Sequence, residues 1–180
     1  MKIAIAADHR GTEVCRHLRT CLRHDGYEVV DLVSHDGRPC DFPDMAYPVA
    51  VAVVEGRVDR GILICGTGIG MSIAANKVPG VRAALVHDEI GADLSRRHVD
   101  ANILCLSADM LGQRIIDRIV KTWLNTEFEG GRHARRVDKI NAIEHGKDPL
   151  STDKRQAPPA SREQVGDPTF RSITTRHPSS

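Results

Sequence analysis

Short β-branched runs alternating with segments of helical period predict an α/β fold: a five-stranded parallel sheet in a Rossmann-like three-layer α/β/α sandwich. Two observations carry that expectation. Five apolar runs of strand length recur between Lys2 and Leu106, and helix-like segments separate them. Strands joined through helices make right-handed crossovers, which cover both faces of a parallel sheet.

The elements follow in order. Lys2–Ala7 reads as a buried strand. Thr12–Asp25 reads as a helix, because Val14, Leu18 and Leu22 recur at four-residue spacing and Gly26 supplies a stop. Tyr27–Asp31 is the second strand. Ser34–Asp44 holds Gly37, Pro39 and Pro43 and is expected to be a loop. Met45–Glu55 is an apolar helix and Arg60–Cys65 the third strand. A short helix over Met71–Lys77, a strand over Val81–Val86 and a helix over Glu89–Arg97 come next. Asn102–Leu106 is the last strand, followed by helices over Ile115–Leu124 and Ala134–Glu144. After about Gly146 the chain carries four prolines between Pro158 and Pro178, much Ser and Thr, and few large apolar residues. Such a segment buries too little surface to offset its ordering entropy, so residues 148–180 are expected to be a disordered tail.

Bulk properties exclude several classes. A length of 180 residues suits one ordinary domain. A formal net charge of +1 gives no global pull toward nucleic acid or an acidic membrane. Aromatics at 3% are too few for base-stacking platforms. Five cysteines, an odd number without CxxC spacing, fit reduced thiols better than a disulfide framework or zinc site. The N-terminus is too short an apolar run for a signal peptide, and no run approaches the roughly 20 residues of a membrane span. A cytoplasmic protein is the expectation.

Ligands of open α/β sheets sit outside the carboxyl ends of the strands. Asp8 and His9 follow the first strand, and Cys65 ends the third. Cys65 leads into Gly66-Thr67-Gly68-Ile69-Gly70, a strand–glycine loop–helix arrangement. Without side chains at Gly66, Gly68 and Gly70, backbone amides can turn toward one anion, and the next helix points its positive end there. On the residues alone this is a phosphate cradle. Two other readings stay open. A dinucleotide fingerprint would place a third glycine where Met71 stands, although Asp88 follows at roughly the expected distance of about 20 residues. A tight turn without a ligand is the plainer alternative. The absence of GK[ST] argues against NTP hydrolysis. Cys65 could be a small core hydrophobe; equally, thiols at helix N-termini ionise more readily than free ones, which makes it a catalytic candidate.

The segments AADHRG, ILICGTGIGMSIAANKVPGVRAAL, SRRHVDANIL and EGGRHARRVDKI together resemble ribose-5-phosphate isomerase B and its sugar-phosphate isomerase relatives. The resemblance spans residues 1–147, and its middle block is the most specific. It implies a cofactor-independent, metal-free aldose–ketose isomerase, most simply of ribose 5-phosphate and ribulose 5-phosphate. It implies that Asp8 and His9 contact the sugar, and that Cys65 moves a proton between C1 and C2. The loop Gly66, Gly68, Ile69 and Gly70 would stabilise the enediolate, with Thr67 assisting proton traffic. His98 would open the furanose ring, and Arg132 and Arg136 would hold the phosphate. It further implies a homodimer whose active sites each draw on two subunits. The glycine loop then faces the reacting carbons rather than the phosphate. Two positions depart from the pattern: Val99 replaces a usual asparagine, and Asp109 stands where an arginine often helps bind phosphate. These leave four- and six-carbon sugar phosphates open as substrates.

The implied roles suit the residue types. Thiols serve as bases, backbone amides as an oxyanion hole, histidine as acid and base near its ordinary pKa of about 6.5, and arginines as bidentate phosphate ligands. Each has a bland rival. His98 could be a solvated histidine at a basic helix end, Asp8 a helix cap, and Arg132–Arg136 an exposed charged turn. Cys15, Cys21, Cys40 and Cys105 read as packing residues. A nucleotide- or phosphate-binding module without catalysis is the rival from another class.

Overall fold

A computed structural model describes residues 1–33 and 38–151. The predicted loop from Ser34 lies partly outside these residues, and the predicted tail beyond Ser151 wholly so.

The chain forms β1 (Lys2–Ala7), α1 (Thr12–His24), β2 (Glu28–Val30), α2 (Phe42–Val54), β3 (Arg60–Cys65) and α3 (Ile69–Ala75). It continues with β4 (Ala83–Leu85), α4 (Glu89–Val99), β5 (Ile103–Ser107), α5 (Gln113–Asn125) and α6 (Arg132–Glu144). Every strand pair is parallel, in the order β2-β1-β3-β5-β4. The expected five-stranded parallel α/β sheet is therefore present.

Strand alternation sorts the core into two layers. Ile3, Ile5, Ile62, Ile64, Leu104 and Leu106 face α1, α4 and α5, where Trp123 is fully buried. Ala4, Ala6, Leu63, Cys65, Ile103 and Cys105 face α2 and α3. The facing helix α2 is rich in Ala and Val, and Gly61 lets it come close: a Cβ there would lie 2.8 Å from Val49 Cγ1.

Two boundaries moved for identifiable reasons. α2 begins at Phe42 inside the predicted loop, because Pro43 occupies its first turn, where a missing N–H costs nothing. α3 begins at Ile69, so Gly70 lies in a helix and the glycine loop proper is Gly66–Gly68. Among the described residues, no helix is long and apolar enough to cross a membrane.

The chain winds outward from β1 to β2, then crosses back to place β3 on the other side of β1. The strand order reverses between β1 and β3, and a crevice at their carboxyl ends is the expected ligand position.

Candidate functional site at the switch point

Asp8 leaves β1 with its N–H donating to Ile64 O at 3.1 Å, so the first loop stays on the sheet. Its carboxylate is buried, and Oδ1 accepts the N–H groups of Arg10 (2.9 Å) and Gly11 (3.2 Å). Asp8 therefore braces this turn rather than capping α1, whose N-cap is Gly11. His9 is exposed, and its Nδ1 accepts the N–H of Cys40 at 3.4 Å.

Cys65 ends β3 one strand over. It is 4% exposed, and Gly68 N–H donates to its Sγ at 3.0 Å. Gly68 adopts a left-handed backbone, φ 75°. A Cβ on Gly68 would also sit 2.5 Å from Leu85 Cδ1 and 3.0 Å from the Leu106 carbonyl. Gly68→Ala is thus expected to destabilise the domain by at least about 1–2 kcal/mol from backbone strain alone. It should also impair turnover beyond that stability loss, as read by thermal melting beside kcat. Thr67 is exposed, its Oγ1 accepting Ile69 N–H at 3.3 Å. Ile69 is half exposed, while the Phe42 ring covers Gly70, 2.8 Å from a notional Cβ. α3 is as short as predicted, seven residues, but begins two residues earlier, at Ile69.

The end of β5 fastens the loop from the other side. Ala108 N–H donates to Cys65 O at 2.9 Å and Asp109 N–H to Gly66 O at 3.0 Å, while Ser107 Oγ donates to Gly66 O at 2.6 Å. Asp109 forms an ion pair with Arg10.

His98, Arg132 and Arg136 form a second cluster. α4 starts after the carboxyl end of β4 and runs back along the sheet, so His98, in its last turn, lies beside the amino ends of the strands. At a rise of about 1.5 Å per residue, α4 alone separates it from the Cys65 end by roughly 14 Å. The helix end is pinned. Buried Arg96 donates to Asp100 Oδ1 at 2.8 Å and lies over the Trp123 ring, and Arg82 donates to Asp100 Oδ2 at 3.0 Å. Asp100 is held left-handed there, φ 48°. Val99 packs against the core, and its carbonyl accepts from Arg82.

Gly130 and Gly131 both take positive φ, which turns the chain into α6 with Arg132 and His133 at its start. The buried His133 ring stacks on His98, centroids 4.1 Å apart and planes 6° from parallel. Glu129 Oε2 lies 3.2 Å from His133 Nε2 and 4.0 Å from His98 Nε2, and Arg97 holds its other oxygen. Arg132 Nε donates to His133 Nε2 at 3.1 Å, and Arg136 lies 3.4 Å from Nδ1. Burial, then the charges of His98 and Arg132, push His133 below the usual histidine range despite Glu129. The hydrogen bond from Arg97, then its charge, holds Glu129 below the usual carboxylate range.

His98, Glu129 and His133 bring their ligand atoms within 4.8 Å of one another. Stacked parallel rings would leave an ion out of at least one ring plane, and Arg132 already uses Nε2 of His133. The set fits a hydrogen-bonded cluster carrying three arginines better than a metal centre.

The predicted residues thus fall into two groups. Asp8, His9, Cys65, Thr67 and the glycines meet at the switch point; His98, Arg132 and Arg136 meet at the opposite end of the sheet. Sequence reasoning missed Glu129 and His133, whose four-residue spacing within EGGRH was a usable signal. It also missed Cys40 beside His9 and the Arg10–Asp109 pair, which joins residues 99 positions apart and leaves no local trace.

The protein is thus a doubly wound α/β sheet with a thiol and a glycine loop at its switch point and a histidine–arginine cluster at the other end. The sequence profile described as Ribose/Galactose Isomerase matches residues 3–140. Ribose-5-phosphate isomerase B of Escherichia coli is 44% identical over 143 residues, 79% of this chain and 96% of that protein. The D-erythrulose-4-phosphate isomerase of Pectobacterium atrosepticum is 42% identical, over 81% and 96% respectively. The structure of Clostridium thermocellum ribose-5-phosphate isomerase B superposes with a TM-score of 0.80 at 51% identity, covering 81% of this chain and 99% of that one. The chain belongs to the ribose/galactose isomerase family, and by class it is an aldose–ketose isomerase.

Proposed function

We propose that this protein interconverts ribose 5-phosphate and ribulose 5-phosphate through a cis-enediolate, with Cys65 as the carbon base. One observation carries the reading: the Cys65 sulfur lies at the switch point beneath the glycine loop, with Gly68 N–H directed at it. In the open-chain sugar, Cys65 takes the proton from C2 and returns it to C1. The negative charge that develops on the oxygens meets the loop amides, each such donor being worth about 3 kcal/mol in comparable sites. Thr67 relays a hydroxyl proton, and Asp8 and His9 hold the sugar. His98 opens the ring and Arg132 and Arg136 take the phosphate. The steps need no metal or organic cofactor.

One chain cannot perform all of these steps on one substrate, because its two groups lie at opposite ends of the sheet. This separation supports a homodimer in which the His98 cluster of one protomer faces the Cys65 loop of its partner. We take the working domain as residues 1–147.

The experiment is a phosphosugar panel compared by kcat/KM, with solvent-proton exchange at C2 as the readout. The highest kcat/KM for ribose 5-phosphate is expected. A four- or six-carbon phosphosugar ahead of it would move the substrate but not the reaction, and Asp109 is the residue that motivates the comparison. Tight nucleotide binding with no turnover would favour a binding module instead. Against that module, Met71 stands fully buried where a dinucleotide fingerprint needs glycine.

A further inference from the structure

Arg10 donates through Nε at 3.2 Å and Nη2 at 2.8 Å to a single oxygen, Oδ2 of Asp109. The same oxygen stands 2.7 Å from where a Cβ would sit on Gly66. The carboxylate therefore lies directly against the first residue of the glycine loop. Both residues are anchored by their backbones: Asp109 N–H on Gly66 O at 3.0 Å, and Arg10 N–H on Asp8 Oδ1 at 2.9 Å. Their side chains are 58% and 40% exposed, so an incoming ligand meets them.

A bare carboxylate at this point would repel any anion approaching the loop. Bound to Arg10, its charge is offset within one hydrogen-bond length. We propose that Arg10 is a specificity-determining residue that acts through Asp109: by neutralising that carboxylate it lets an anionic ligand enter the site past the loop. The inference rests on the isomerase reading of the loop. The pair adds little to stability, since exposed ion pairs generally contribute little. Its purpose lies in the electrostatics of the site.

The test compares wild type, Arg10→Ala, Asp109→Asn and the double variant by KM and kcat for ribose 5-phosphate, with thermal melting as the folding control. Arg10→Ala is expected to raise KM about tenfold with kcat within about threefold, and added salt should shrink that penalty. Asp109→Asn alone should leave KM within about threefold of wild type, and the double variant should recover to that range, since without the carboxylate the arginine is dispensable. An Arg10→Ala enzyme with wild-type KM, or a double variant as weak as Arg10→Ala, overturns the proposal. If the wild type turns over no phosphosugar, the isomerase reading fails by itself. Calorimetric titration of the same four proteins with inorganic phosphate then decides: weakening in Arg10→Ala and recovery in the double support the inference. No phosphate binding by wild type, or no recovery, refutes it.

Discussion

Cys65→Ala is expected to abolish exchange of the substrate C2 proton with solvent and to lower kcat by about 10²–10⁴-fold, the usual loss when a positioned base is removed. The fold should survive. The sulfur is one buried atom at the end of β3, and losing it should cost about 1 kcal/mol, on the scale of a buried methylene. KM should change little, because the phosphate and sugar contacts are assigned elsewhere. Cys105 supplies the internal control. It lies one strand over, fully buried, and burial, followed by the charge of Cys65, pushes its thiol far above the ordinary range. Cys105→Ala should therefore keep both exchange and turnover. Exchange that persists in Cys65→Ala, or vanishes equally in Cys105→Ala, would remove Cys65 from the role of base.

Mixing two inactive variants should restore activity. If each site joins the Cys65 loop of one protomer to the His98 cluster of the other, a Cys65→Ala/His98→Asn hybrid has one site with both lesions and one with neither. Co-refolding the two variants in equal amounts should give about a quarter of the wild-type rate, since half the dimers are hybrids with one good site. Each variant refolded alone should stay at its own low rate. A mixture that shows only the average of the two variants would place both groups in one chain and refute the shared site. The prediction follows from the course of α4, which carries His98 away from the loop.

Most of the fold was legible in the sequence because its signals are local. The third-strand run Arg60–Cys65 and the first-strand run Lys2–Ala7 are continuous apolar stretches, and the structure keeps both limits. Errors gathered where a residue type has two meanings. Pro43 reads as a loop former yet starts α2, and Ile69–Gly70 read as loop yet begin α3. The site was legible only in part. Asp8, His9 and Cys65 could be placed, because strand ends in a parallel sheet are predictable. That His98 lies at the far end of the sheet follows only from counting the direction of α4, and the order of β4 and β5 could not be read at all. His133 went unnoticed because a histidine beside two arginines looks like a surface charge run, whereas the turn at Gly130 and Gly131 buries it.

The strand order has a consequence for how the protein comes into being. Among the described residues, β4 pairs only with β5, and β5 is the last strand to be synthesised. A nascent chain that has emerged as far as Leu85 has nowhere to seat its fourth strand, and the outer edge of β3 stays open. The backbone bonds from Ala108 and Asp109 that fasten Cys65 and Gly66 do not yet exist. The end of β3 is thus fastened only when the keystone strand slides in between two neighbours already made, and a chain stalled short of Asp109 carries the cysteine without the bonds that hold its loop.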